Sequence, residues 1–219
     1  LAAGVGLVLL RGAWISWRPD VSRGWGYLRT GLLLHFGVIA LFVLQRVDYL
    51  FMKEWVPLRE VGCYAMAVVL SELLLLMPVA LRSYLFPAAT RETGEGLDVL
   101  AAKISRHSFL IVLVSALVMA AVARPLIELW GGKAFLPARS YLWLLLPGIV
   151  AAGMSDQLFV GLLCRRRFSW LFLVGGVRLV TALLAYALMV PAWGAVGAAG
   201  AKSLSYLVVL GMILAGFLR

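Results

Sequence analysis

Acid is scarce in this chain. Asp and Glu number 10 against 20 Lys and Arg, and there are two cysteines and two histidines in 219 residues. The two cysteines, Cys63 and Cys164, form no CxxC and no Cys/His cluster, so metal chemistry has no support. They fall at opposite ends of predicted membrane spans, about 30 Å apart. A disulfide needs Cα atoms within about 7 Å, so an intrachain bridge is excluded. His35 and His107 stand alone, and neither has a partner that would make it a ligand. No Gly-rich phosphate loop and no GxSxG motif is present. With acids so thinly spread, no catalytic constellation forms, and the chain does not read as an enzyme.

Apolar residues are abundant: 63% of the chain is hydrophobic and the mean hydropathy is +0.99. A soluble domain has about 45–50% apolar residues. The excess is gathered in long runs, and a membrane helix needs about 20 such residues. The predicted fold is therefore all-α, a polytopic membrane helical bundle with six complete spans: 30–52, 61–85, 107–122 continuing toward Trp130, 138–164, 168–190 and 195–218. The run Leu1 to Leu10 opens without Met, charged leader or cleavage site, which suggests the end of a preceding helix in a longer protein. Residues 1–29 then comprise that truncated helix and a basic cytoplasmic linker, and residues 30–219 a six-helix transmembrane lobe.

The net charge of +10 would suggest nucleic acid in a soluble protein. Here it is divided among short loops, and no nucleic-acid partner is expected. Twelve basic residues fall on one side of the predicted spans and six on the other; Arg178 and Lys202 lie within spans. The positive-inside rule makes the first side cytoplasmic and places the C-terminus there. All eight Trp residues fall near span ends or in flanking loops, the pattern of an aromatic belt.

Breakers fall inside spans: Pro78, Pro147-Gly148 and Gly175-Gly176. Kinked helices free backbone groups to line a cavity, although Gly and Pro are common in membrane helices in any case. The run Ala195, Gly197, Ala198, Ala199, Gly200, Ala201 suits close helix packing.

Ionisable groups at membrane depth cost about 3 kcal/mol each on insertion scales, so each needs a cavity or a partner. The candidates are Arg46 and Asp48, Glu72, Asp156 beside Gln157, Arg178 and Lys202. Two readings stand. In one, Glu72 and Arg178 pair at equal depth and tie helices together. In the other, Arg46, Arg178 and Lys202 form a cationic, substrate-binding cavity for an anionic head group such as a pyrophosphate, since arginine donates two hydrogen bonds to phosphate at once. Asp48, Glu72 and Asp156 then serve ion coupling or structural pairing, with Asp48 near enough to the interface to cap or to pair with Arg46 or Lys53. The run Arg165-Arg166-Arg167 suits anionic membrane lipid.

Three stretches carry a family likeness. The first is Arg46-Val-Asp-Tyr-Leu-Phe-Met, Glu60-Val-Gly-Cys-Tyr-Ala-Met-Ala, Glu72, Pro78-Val-Ala-Leu and Leu85-Phe-Pro87. The second is Gly131-Gly-Lys-Ala-Phe-Leu-Pro-Ala138 with Leu144-Leu-Leu-Pro-Gly148. The third is Val190-Pro-Ala-Trp-Gly194-Ala-Val-Gly197-Ala-Ala with Ser203-Leu-Ser-Tyr206. In order and spacing the chain resembles the polysaccharide biosynthesis and export proteins, the O-antigen (Wzx-type) flippases of the multidrug/oligosaccharidyl-lipid/polysaccharide (MOP) superfamily. The resemblance implies 12 to 14 helices in two lobes, of which this chain is the second, partnered by a missing N-terminal lobe. It implies export of polyprenyl-pyrophosphate-linked oligosaccharide, carried on undecaprenyl, across the bacterial inner membrane by alternating access, with no cofactor. Only Arg46, Asp48 and Glu72 carry over from matching motif context; Arg178 and Lys202 rest on their depth. The alternatives are a drug or cation exporter of the same superfamily and, in a different class, a polytopic glycan ligase or polymerase. Short outer loops disfavour the enzyme.

Overall fold

The computed structural model describes residue 32 and residues 45–89, 95–165 and 168–217. The linker at 1–29 and most of the predicted span 30–52 lie outside these residues, as do Arg166 and Arg167. Arg46–Arg219 forms one compact unit, distinct from Leu1–Gln45.

Every element within the described residues is helical, as the apolar runs require, since a bundle in hydrocarbon must satisfy its backbone internally. Helix α1 covers 45–55, α2 Leu58–Leu73, α3 Leu76–Ala89, α4 Glu95–Gly131, α5 Ala138–Cys164 and α6 Phe168–Phe217, with a 3₁₀ turn at Lys133–Phe135 between α4 and α5. Four segments are long and apolar enough to cross a membrane: Leu58–Ser83, Val99–Gly131, Ala138–Cys164 and Ser169–Phe217. Large apolar side chains face outward, among them Phe172, Leu188, Leu117 and Val114, while Asp48, Lys202, Gln157 and Ser155 are buried. An apolar surface over a core that also holds charged and amide groups suits hydrocarbon rather than water outside. The fold is that of a multi-pass membrane protein.

Three local features shape the bundle. First, the predicted span 61–85 is broken. Pro78 has no N–H to donate back to Leu74, and the chain tightens there, with Leu74 N–H donating to Ser71 O (3.2 Å) and Leu75 N–H to Glu72 O (3.0 Å). Helix α2 ends and α3 begins at this point.

Second, α4 starts at Glu95 rather than at His107. Residues 95–106 carry Asp98, Lys103 and Arg106, so hydropathy does not register them. They are helical because Ala101 and Ser105 pack against α5, where the Ser105 hydroxyl donates to Met154 O (3.2 Å).

Third, α6 comprises two helices joined across a kink, 50 residues in all. At 1.5 Å per residue it would run about 75 Å, over twice the hydrocarbon thickness. It folds back at Gly194, whose φ of 56° suits glycine alone. Trp170 Nε1–H donates to Met212 O (3.2 Å), the Arg178 guanidinium lies over the Tyr206 ring, and a Cβ on Gly197 would stand 2.0 Å from Met189 O. The two limbs are antiparallel. The predicted boundary at 191–194 is thus where one helix ends and the next begins, at the fold-back on Gly194. Ala195, Ala198, Ala199 and Ala201 are all buried, so the small-residue run acts in packing.

The fold-back tip, the α1–α2 junction and the 3₁₀ turn meet at one end of the bundle. Gly194 faces Val56 and Glu60, Gly62 faces Phe135, and the Cys63 thiol meets Ala134 O. Exposed Trp55, Trp130, Trp143 and Trp193 gather toward this end. Cys63 is a free thiol, and so is Cys164 at the far end of α5.

Candidate functional site

Helices α1, α2 and the second limb of α6 bring four of the six candidate residues together. Lys202 Nζ lies 3.1 Å from Asp48 Oδ2 and 3.6 Å from Glu72 Oε1, and Arg46 Nη2 lies 3.1 Å from Glu72 Oε2. Asp48 also accepts a hydrogen bond of 2.6 Å from the Tyr64 hydroxyl and one of 3.1 Å from the Tyr49 backbone N–H. The sequence explains why these helices meet. Asp48 and Met52 share the inward face of α1, one helical turn apart, and the buried alanines preceding Lys202 let its helix approach closely.

The four residues form a graded row. Side-chain exposure is 0% at Asp48, 5% at Lys202, 29% at Glu72 and 39% at Arg46. Signs alternate along it and the sum is zero. The sealed end could not hold a lone charge, because desolvation would be uncompensated. Glu72 sits at the break between α2 and α3, where its own carbonyl closes the tight turn. A carboxylate at a broken helix has a carbonyl-rich neighbour and room to change partners.

Glu72 therefore pairs with Arg46 and Lys202, not with Arg178. Equal depth in two spans does not place two side chains on facing surfaces. Asp48 takes Lys202 rather than Arg46 or Lys53 as its partner. Of the expected cationic lining, Arg46 and Lys202 come together, but in the company of two acids. Arg178 stands elsewhere, with its guanidinium 5.0 Å from the centre of the Tyr206 ring.

Asp156 belongs to a second cluster. Its Oδ2 lies 3.6 Å from Arg82 Nη1, and Arg178 also acts on this carboxylate. Gln157 beside it is fully buried; its amide donates to Pro78 O (2.8 Å), while its own carbonyl oxygen has no hydrogen-bond partner.

A third arrangement links α5 to the second limb. Pro147 brings no N–H to the α5 ladder, and the Ser203 hydroxyl bonds to the backbone beside it. It accepts from Gly148 N–H (3.2 Å) and donates to Leu144 O. A Cβ on Gly148 would stand 2.6 Å from Ser203 Cα, so the close approach requires glycine. Lys202 and Ser203 are consecutive, so one turn of helix serves both the charge row and the α5 backbone at Gly148.

Tyr64, Ser203 and Arg82 were not among the sequence candidates. Arg82 counted only toward loop charge. Tyr64 and Ser203 lie within the motif stretches, and a polar residue amid an apolar run was the signal available for both. Among the described residues no group of His, Cys, Asp and Glu could hold a metal ion. Comparison of the chain with family models, curated proteins and solved structures finds no match.

Proposed function

We propose that this chain is one lobe of a membrane exporter, a flippase that moves polyprenyl-pyrophosphate-linked oligosaccharide across the bacterial inner membrane by alternating access. The observation that carries the reading is the charge row Asp48–Lys202–Glu72–Arg46, buried at its Asp48–Lys202 end and set beside the helix break at Leu74–Leu75 and the helix proline Pro147. Charges are retained at such depth when a transport path needs them, and breaks let helices bend around them. In this reading the bundle has six spans, the first through 30–52, with α6 supplying two. The C-terminus is cytoplasmic, and the Trp-rich end faces outward.

The test is polysaccharide export in bacteria that lack their own flippase and express the gene encoding this chain. Lys202→Ala and Arg46→Ala should each reduce surface glycan at normal protein levels. Wild-type export in both variants would remove the role assigned to the charges.

One observation favours a second reading. Because Asp48 and Glu72 neutralise Lys202 and Arg46, the row does not repel cations, and a drug or cation exporter of the same superfamily fits it. Uptake of a cationic dye by membrane vesicles containing the protein separates the two: accumulation against a gradient would favour that alternative. New glycosidic bonds in product analysis would instead indicate a ligase or polymerase.

A further inference from the structure

The second cluster differs from the charge row in sign. Arg82 lies 3.6 Å from Asp156, and Arg178 is near enough to act on the same carboxylate, so the two arginines outnumber the one acid. The Arg82–Asp156 contact is long, 3.6 Å, and both side chains are partly exposed. A tight charge-assisted hydrogen bond spans about 2.7–2.9 Å, so Arg82 has donors to offer.

Next to this pair lies a cavity of about 360 Å³, lined by Arg82 and Ser83 from α3 and by Phe159, Val160 and Leu163 from α5. Phe159 and Val160 follow Asp156 by three and four residues, on the same face of α5. The lining is thus a guanidinium and a hydroxyl on one side and a continuous apolar wall on the other. That division matches an amphiphile with an anionic head and a hydrocarbon chain. Arginine's planar fork fits the geometry of phosphate.

We propose that this cavity binds the phosphate head group of a lipid, with Arg82 holding the phosphate and Phe159, Val160 and Leu163 receiving the first part of the chain. Asp156 competes with the phosphate for Arg82 and keeps the empty site from collapsing onto a stray anion. The proposal rests on the exporter reading for where the ligand goes next, but not for binding itself. Two sources share this chemistry: a prenyl pyrophosphate and an anionic phospholipid.

The test is equilibrium binding to the full chain in detergent, with farnesyl pyrophosphate and, separately, short-chain phosphatidylglycerol as probes. Arg82→Gln should weaken binding about tenfold, the loss expected for one charge-assisted contact. Asp156→Asn should tighten it severalfold by removing the competitor. Arg124→Gln, in an exposed i,i+4 pair with Glu128 on α4 and outside both clusters, should leave it unchanged. Should Arg82→Gln fail to fold, Arg82→Lys, which keeps the charge and loses the fork, should give a smaller weakening, and Phe159→Ala should weaken farnesyl pyrophosphate but not inorganic pyrophosphate. Preference for farnesyl pyrophosphate assigns the site to a lipid-linked pyrophosphate; equal or better binding of phosphatidylglycerol assigns it to membrane phospholipid. Unaltered binding in both Arg82→Gln and Asp156→Asn, or weakening by Asp156→Asn, would overturn the proposal. Binding is read without transport, so a failure of export in cells would count against the exporter reading alone.

Discussion

Asp48 is fully buried and holds Lys202 at 3.1 Å, whereas Asp156 keeps 37% of its side chain exposed and meets Arg82 at 3.6 Å. Each is an acid in a long apolar bundle with a basic partner on another helix. The first belongs to a row whose charges cancel and whose deep end has no access to water. The second belongs to a group with an excess of positive charge at the mouth of a cavity. Coulomb attraction is strong in the first setting and weakened by screening in the second. The first is therefore built to hold together, and the second to exchange partners.

The largest effect should come from Lys202→Met. It leaves Asp48 buried with its charge uncompensated, and breaking a buried pair this way costs about 3–5 kcal/mol. Thermal unfolding in detergent measures it. Asp48→Leu combined with Lys202→Met should recover much of the loss, because an apolar pair can replace a buried ionic one. If the double variant is no better than the single, the row is not a closed unit and the contrast with Asp156 weakens.

Gly148→Ala should come next, at about 1–3 kcal/mol, since the added methyl group meets the backbone at Ser203 and overpacks the contact. Ser203→Ala removes only the hydroxyl beside Gly148 and should cost about 1 kcal/mol. The same unfolding measurement ranks both. Smallest of all, Arg82→Gln should change stability by less than about 1 kcal/mol, as partly exposed pairs do. An unfolding midpoint for Arg82→Gln as low as that of Lys202→Met would abolish the distinction between the clusters.

The helices were legible in the sequence wherever burial in a membrane set the pattern. Ala138–Cys164 coincides with its predicted span because hydropathy alone defines it. The first twelve residues of α4 were not legible, since their polar side chains mask a helix held by contacts to α5. Burial was partly legible: the residues singled out within spans include both members of the Asp48–Lys202 pair, although Asp48 was expected near the interface and is fully buried. Their partners were not, because pairing depends on which way each helix is turned, and Glu72 and Arg178 at one level still face different neighbours. Arg82 was missed for a related reason. Its charge suited a loop, and its acid lies on a helix reached only after two chain reversals.

Ser203 has a consequence for movement. The hydroxyl occupies one rung of the α5 ladder, between Leu144 O and Gly148 N–H, while the preceding residue grips Asp48. If the second limb of α6 slides or rotates so that Lys202 releases Asp48, the hydroxyl must leave that rung at the same time. Opening the ion pair and freeing α5 beside its proline would then be a single step, because Lys202 and Ser203 sit on one turn of helix.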